Sequence, residues 1–143
     1  MIAKILFALA LVATTVAIHA AGISMALKHT LRFTERLAAR FWPVTWLLIR
    51  IAWLLILFHL CEIAVWALFF RWQNCLPDAE SSFYFSGVTY TTLGYGDLVL
   101  PREWRLLGPI EGLTGILMCG LSTGFFFAVL SKFLAAQSTS DQD

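Results

Sequence analysis

The residues that promise chemistry lie in one short stretch, Thr92-Leu93-Gly94-Tyr95-Gly96-Asp97. Glycines at alternate positions open backbone angles closed to other residues, so the stretch reads as an extended strip with exposed carbonyls. Non-helical backbone at membrane depth is tolerated only where protein surrounds it or where it lines a watery cavity. Carbonyls pointing inward then replace the hydration shell of a monovalent cation, a task that one strand cannot complete alone. The chemistry implied is ion coordination by several copies of the strip, naturally four. It needs no catalytic constellation.

Membrane depth follows from the composition of the rest. Of 143 residues 59% are hydrophobic and 13% charged, with a mean hydropathy of +0.78, whereas an ordinary soluble domain carries about 25% charged residues. The length is that of one domain, its apolar residues fall in long runs, and a water-soluble enzyme is excluded. A spanning helix needs about 20 apolar residues for a hydrocarbon core of about 30 Å. Ile5 to Leu27, Ile51 to Phe70 and Leu106 to Leu134 meet that length. Between the last two lies Arg71 to Arg105, whose apolar aromatic piece, Phe83 to Thr92, is too short to cross. Asp78, Glu80 and Ser81 or Ser82 supply N-cap and first-turn chemistry, so Phe83 to Thr91 is predicted as a short re-entrant helix leading into the strip. A net charge of +1 leaves no basic footprint for a nucleic acid. Cys61, Cys75 and Cys119 show neither CxxC nor His-paired spacing, so neither a disulfide framework nor a structural metal is expected.

Charge placement sets the orientation, because short cytoplasmic loops are enriched in Lys and Arg. The linker from Lys28 to Arg50 carries Lys28, Arg32, Arg36, Arg40 and Arg50 against Glu35 alone, whereas Arg71 to Arg105 is slightly acidic. The linker is therefore expected inside, the long segment and the N-terminus outside, and the C-terminus in the cytoplasm, for a multi-pass protein of the cell membrane. A rival reading takes residues 1–21 as a secretory signal, but cleavage there reverses the charge asymmetry. Lys28, Arg32, Arg36 and Arg40 recur every fourth residue and form one basic stripe. Residues 28–43 are thus predicted as an interfacial helix facing anionic lipid headgroups, ended by Pro43. It serves either as a lever on the second span or as a plain anchor.

With these parts in place, Thr92-Leu93-Gly94-Tyr95-Gly96-Asp97 resembles the filter of the potassium-channel pore-domain family, Thr-Val-Gly-Tyr-Gly-Asp, with Leu93 in place of Val. The likeness extends over roughly Pro43 to Leu134, and the first span is an addition to the two-span pattern. The resemblance implies that Thr92, Leu93, Gly94, Tyr95 and Gly96 line the potassium sites and that Asp97 sits at the outer mouth. It implies that Tyr84 and Phe85 support Tyr95 from behind in place of a tryptophan pair, and that Val88 stands where some relatives carry a glutamate.

The inner helix holds Gly120 as a hinge candidate, although Gly112, Gly115, Gly120 and Gly124 equally suit close helix packing. At least one ring among Phe125, Phe126 and Phe127 is a candidate for a hydrophobic gate on the pore axis. Ionisable residues inside spans mark function by default, which singles out His59, Glu62 and Glu111. His59 and Glu62 share a helical face and suit either a proton-sensitive element or a satisfied polar contact, while Glu62 or Glu111 is placed to support the filter behind Val88. His19 has no partner evident in the sequence and is assigned to packing. Cys75 is either a free thiol or a link between subunits.

The architecture expected is all-α and integral to the membrane, with three spans, a pore helix and an extended filter per chain, assembled as a homotetramer. Its divisions are a first span (residues 1–27), the basic helix (28–43), a pore domain (44–134) with outer helix 44–72, pore loop 73–101 and inner helix 104–134, and a polar tail (135–143). The function expected is passive potassium conduction, with potassium as permeant ion and no cofactor. The alternatives are a non-conducting accessory subunit and a weakly selective cation channel. With no Arg-rich span and only a short tail, voltage and cytosolic ligands are not the expected controls.

Overall fold

The computed structural model describes residues 2–31 and 41–140, which form four helices: α1 (Ile2–Leu31), α2 (Phe41–Trp72), α3 (Ala79–Tyr90) and α4 (Leu107–Ser140). Ile2–Lys28, Trp42–Trp72 and Leu107–Ala135 are long and apolar enough to span a membrane, whereas α3 has 12 residues and cannot. The chain is an all-α, multi-pass membrane protein. Of the basic stripe, Lys28 is the last residue of the first span and is exposed, while Arg32, Arg36 and Arg40 lie outside the described residues.

Several boundaries depart from the sequence expectation: α1 runs on to Leu31, and α4 spans Leu107–Ser140, starting later than 104 and taking in most of the expected tail. α2 begins at Phe41, so Pro43 lies in its first turn, where a missing N–H removes no intrahelical bond. Arg50, counted above with the linker, sits inside α2 on an exposed face; a long Arg stem lies along apolar surface while its head reaches a polar boundary. α3 starts at Ala79, earlier than the apolar run, because Asp78 caps it: Ser81 N donates to Asp78 Oδ1 at 2.7 Å and Ser81 Oγ to Oδ2 at 3.1 Å.

The buried residues of α1 are Ala8, Leu11, Thr15, His19, Gly22 and Ala26, a single stripe at helical spacing. Most are small, which lets helices approach closely without a hydrophobic drive in lipid. Gly22 faces the ring of Phe58, with no room for a Cβ. α1 thereby packs against both α2 and α4. Its first turn is fastened at the filter end of the molecule: Lys4 Nζ donates to the Glu103 carbonyl at 2.8 Å and lies 5.2 Å from the Trp104 ring centroid. Phe7 meets the rings of Phe69 and Trp72 at 5.5 and 5.9 Å. An apolar cluster that includes Trp66, Phe69, Phe70, Leu100 and Leu107 fills this end, and Leu47, Ile51, Leu55, Val129 and Phe133 fill the other. The polar side chains gather between them, around Tyr90.

Candidate functional site

α3 delivers the chain to the strip, and the strip's first amides close the helix. Leu93 N and Gly94 N both donate to the Val88 carbonyl, at 2.9 and 3.2 Å, and Thr92 N donates to Thr89 at 3.0 Å. Carbonyls left over at a helix C-terminus are thus met by the strip's own backbone. Thr92, Gly94 and Gly96 have φ of 64°, 56° and 78°, so every second residue is left-handed. For the glycines this conformation carries no Cβ penalty; for Thr92 it costs about 1–2 kcal/mol. Leu93 and Tyr95 are 60% and 67% exposed in the single chain.

Tyr84 donates its hydroxyl to Asp97 Oδ2 at 2.8 Å and so fixes the carboxylate that follows the strip. Phe85 turns the other way, against Phe70 at 5.4 Å between ring centroids. Val88 contributes its carbonyl to the helix end and is partly buried. Outside the membrane the Asp78 carboxyl is held below its ordinary range by its hydrogen bonds from Ser81. The Cys75 thiol is pushed up by burial and by the nearby Glu103 charge.

Behind the strip, two buried carboxylates reach α3 from opposite helices. Glu111 of α4 accepts from Ser86 Oγ, which also lies 2.9 Å from the Ile63 carbonyl. Glu62 of α2 accepts from the Tyr90 hydroxyl. His59 and Glu62 share a face, as their spacing predicts, with His59 Nδ1 3.6 Å from Glu62 Oε2 and 3.0 Å from the Tyr90 oxygen. The other Glu62 oxygen is 2.8 Å from His19 Nδ1. His19 is therefore no mere packing residue: it is fully buried and bonded across to α2. Ser122 of α4 completes the group, its Oγ 3.0 Å from His59 Nε2 and 3.3 Å from His19 Nε2. One turn of α1 above, Trp66 Nε1 donates to Thr15 Oγ1 at 3.1 Å.

The sequence reading missed Tyr90, Ser86, Ser122 and the role of His19. The signal for His19 was present, since an ionisable residue in an otherwise uncharged span needs a partner. The hydroxyls gave none, because Ser and Thr are common in membrane helices.

The glycines of α4 divide. A Cβ on Gly115 would overlap the Tyr90 carbonyl oxygen and one on Gly112 would lie 3.3 Å from that of Thr89, whereas Gly120 and Gly124 have nothing within 4 Å. Phe125 and Phe126 pack against the cluster of Leu47, Ile51, Leu55, Val129 and Phe133, and Phe127 is exposed. Cys75 is buried.

A comparison with curated proteins and one with solved structures give no significant match. A family model described as ion channel matches residues 54–132, more than half of the chain, running from α2 through α3 and the strip into α4. With two long spans flanking a short helix and an extended strip across that match, the chain belongs to the ion channel family of the two-span pore type.

Proposed function

We propose that this ion channel is potassium-selective and conducts passively as a homotetramer, with Thr92, Leu93, Gly94, Tyr95 and Gly96 lining the pore. The observation that carries this reading is the alternation of left-handed φ at Thr92, Gly94 and Gly96. An ordinary strand turns successive carbonyls to opposite sides; alternating handedness turns them to one side, as cation coordination requires. Leu93 and Tyr95 keep their side chains off that ladder, so Leu in place of Val leaves the carbonyl set unchanged. α3 adds to this, because its C-terminus carries the negative end of the helix dipole and lies beside the strip.

Four strips enclose one ion path. Each ion sheds its water at the carbonyls, and ions leave by mutual repulsion between occupied sites. Asp97, steadied by Tyr84, raises the local cation concentration at the outer mouth. The first turn of α1 lies beside Glu103 and Trp104, which supports an N-terminus on the same side as that mouth. The basic linker then faces the cytoplasm of the cell membrane, with Lys28, Arg32, Arg36 and Arg40 near anionic headgroups.

Potassium flux from liposomes holding the purified protein tests the reading. Flux that barium blocks, that sodium does not replace and that Gly94→Ala abolishes is the expected result. Equal sodium and potassium flux would refute selectivity. A tetramer that passes neither ion at any pH or membrane tension would identify a non-conducting subunit.

A further inference from the structure

His19, His59 and Glu62 come from two different spans, yet a ligand atom of each lies within 4.8 Å of the other two. His19 Nδ1 and Glu62 Oε1 are 2.8 Å apart, and His59 Nδ1 and Glu62 Oε2 are 3.6 Å apart. Both imidazoles present their other nitrogen, Nε2, to the single hydroxyl of Ser122. A hydroxyl oxygen has two lone pairs, enough to accept from both rings in the tautomers that carry the proton on Nε2. That assignment leaves both Nδ1 lone pairs turned toward the Glu62 carboxylate. The Tyr90 hydroxyl donates to Glu62. Two imidazole lone pairs and a carboxylate facing one another are a donor set that suits a metal cation.

We propose that His19, His59 and Glu62 bind a divalent transition-metal ion of the zinc class inside the membrane domain, with the fourth position beside Tyr90 open to water. Imidazole nitrogens select this class over magnesium and calcium, which take oxygen ligands. Zinc bonds of about 2.0–2.2 Å at tetrahedral angles put neighbouring ligand atoms about 3.3 Å apart; the two imidazoles stand 2.8 and 3.6 Å from the two different oxygens of Glu62, and one ligand atom of each residue lies within 4.8 Å of the others, close enough for small shifts to close the site. Ser122 holds both rings by the nitrogen the metal does not use, the arrangement that fixes tautomer and aim in metal sites. His19 and Glu62 are sealed, and His59 keeps 18% of its side chain exposed, so the ion enters past His59. Bound there, it ties α1 to α2 at Tyr90, the residue that ends α3.

The test is zinc and cobalt titration of the full-length, chelator-stripped protein in detergent, which reads metal directly and needs no conduction. Its failure therefore leaves the potassium reading untouched. The expected result is one ion per chain, with the visible absorption of four-coordinate cobalt on nitrogen and oxygen and no thiolate charge-transfer band. Ser122→Ala should weaken binding about 10–100-fold, and His19→Gln and His59→Gln should each remove saturable binding. A wild-type protein that takes up no saturable metal overturns the proposal and leaves a proton in the gap. So does a thiolate band, which would move the ion to Cys61 or Cys119, and so does binding that survives both histidine substitutions. The cobalt spectrum of the wild-type chain decides the matter if a variant does not fold.

Discussion

Gly115→Ala should do more damage than any other glycine substitution in α4, and the structure fixes both its size and its comparison. A methyl group at 115 overlaps the Tyr90 carbonyl oxygen and stands 2.9 Å from the carbonyl carbon and 3.1 Å from the ring Cγ. The obstacle is backbone, which no rotamer change removes, so α3 or α4 must shift. Overpacking of this kind costs about 1–3 kcal/mol, and contact with backbone puts it at the upper end. Replacing Gly by Ala inside a helix returns about 1 kcal/mol, leaving a net loss of about 2 kcal/mol by these two figures. At Gly120 nothing lies within 4 Å, so Gly120→Ala keeps only the gain of about 1 kcal/mol. Thermal unfolding of the two purified variants, followed by helical circular dichroism in one detergent, should order them Gly120→Ala, wild type, Gly115→Ala. A Gly115→Ala midpoint at or above that of the wild type would refute the reasoning. Flux then separates the two roles of Gly120: a stable variant with reduced flux identifies a hinge, unchanged flux removes the hinge, and loss of the assembled form assigns the glycine to packing between copies.

Tyr90→Phe leaves a Glu62 oxygen and His59 Nδ1 facing a bare ring, a loss of about 1–3 kcal/mol; combined with Glu62→Gln the loss should be less than additive, and additivity would show the bond to be idle. Asp78 has a lowered folded-state pKa, so its capping contribution is complete above the ordinary Asp value of about 3.9 and disappears as the pH falls through the folded value. Asp78→Asn should flatten the acid side of the stability profile, and an unchanged profile would show the cap to be unimportant. Cys75 is 7% exposed and its thiol is pushed up, so it should react slowly with thiol reagents at neutral pH and form no disulfide between subunits; a cross-linked dimer on a non-reducing gel that Cys75→Ser abolishes would contradict this.

The three spans were legible because each is a run of apolar residues with few charges, and lipid imposes that pattern. The strip was legible because Gly94 and Gly96 alternate, and the structure places left-handed φ at both. Thr92 at φ 64° was not, since nothing about a threonine marks a left-handed position. The start of α2 was misplaced by three residues because Pro43 reads in sequence as the end of the preceding helix, whereas the structure has it in a first turn, where its missing N–H removes no intrahelical bond. His59 and Glu62 could be paired because they sit on one helix. His19 could not, because its partner lies on another span and helix rotation about its axis is set by packing. Gly22 meets Phe58 of α2 on the same buried stripe that carries His19 to Glu62. The cysteine spacing argued against a structural metal; the histidines now proposed as ligands stand 40 residues apart in sequence, beyond any spacing rule.

The same geometry gives the first span a part in the pore. α3 has 12 residues, a length at which an isolated helix is marginal even in water, and it does not cross the bilayer. Its position must therefore come from its ties to the neighbouring helices: Ser86 to Glu111 of α4 and to the Ile63 carbonyl of α2 in the middle, and Tyr90 to Glu62 of α2 at the end. The last tie is the one nearest the strip, and it depends on a carboxylate whose second oxygen has its close partner on α1. Unpartnered, that oxygen would sit buried in a medium where an unsatisfied polar group costs several kcal/mol. α1 supplies His19 for it and Thr15 for Trp66, while the rest of its buried stripe is small enough to let those two reach. The extra span thus completes the polar shell that holds Tyr90, and a force that moves α1 reaches the end of α3 through Glu62 and the segment after the strip through Lys4.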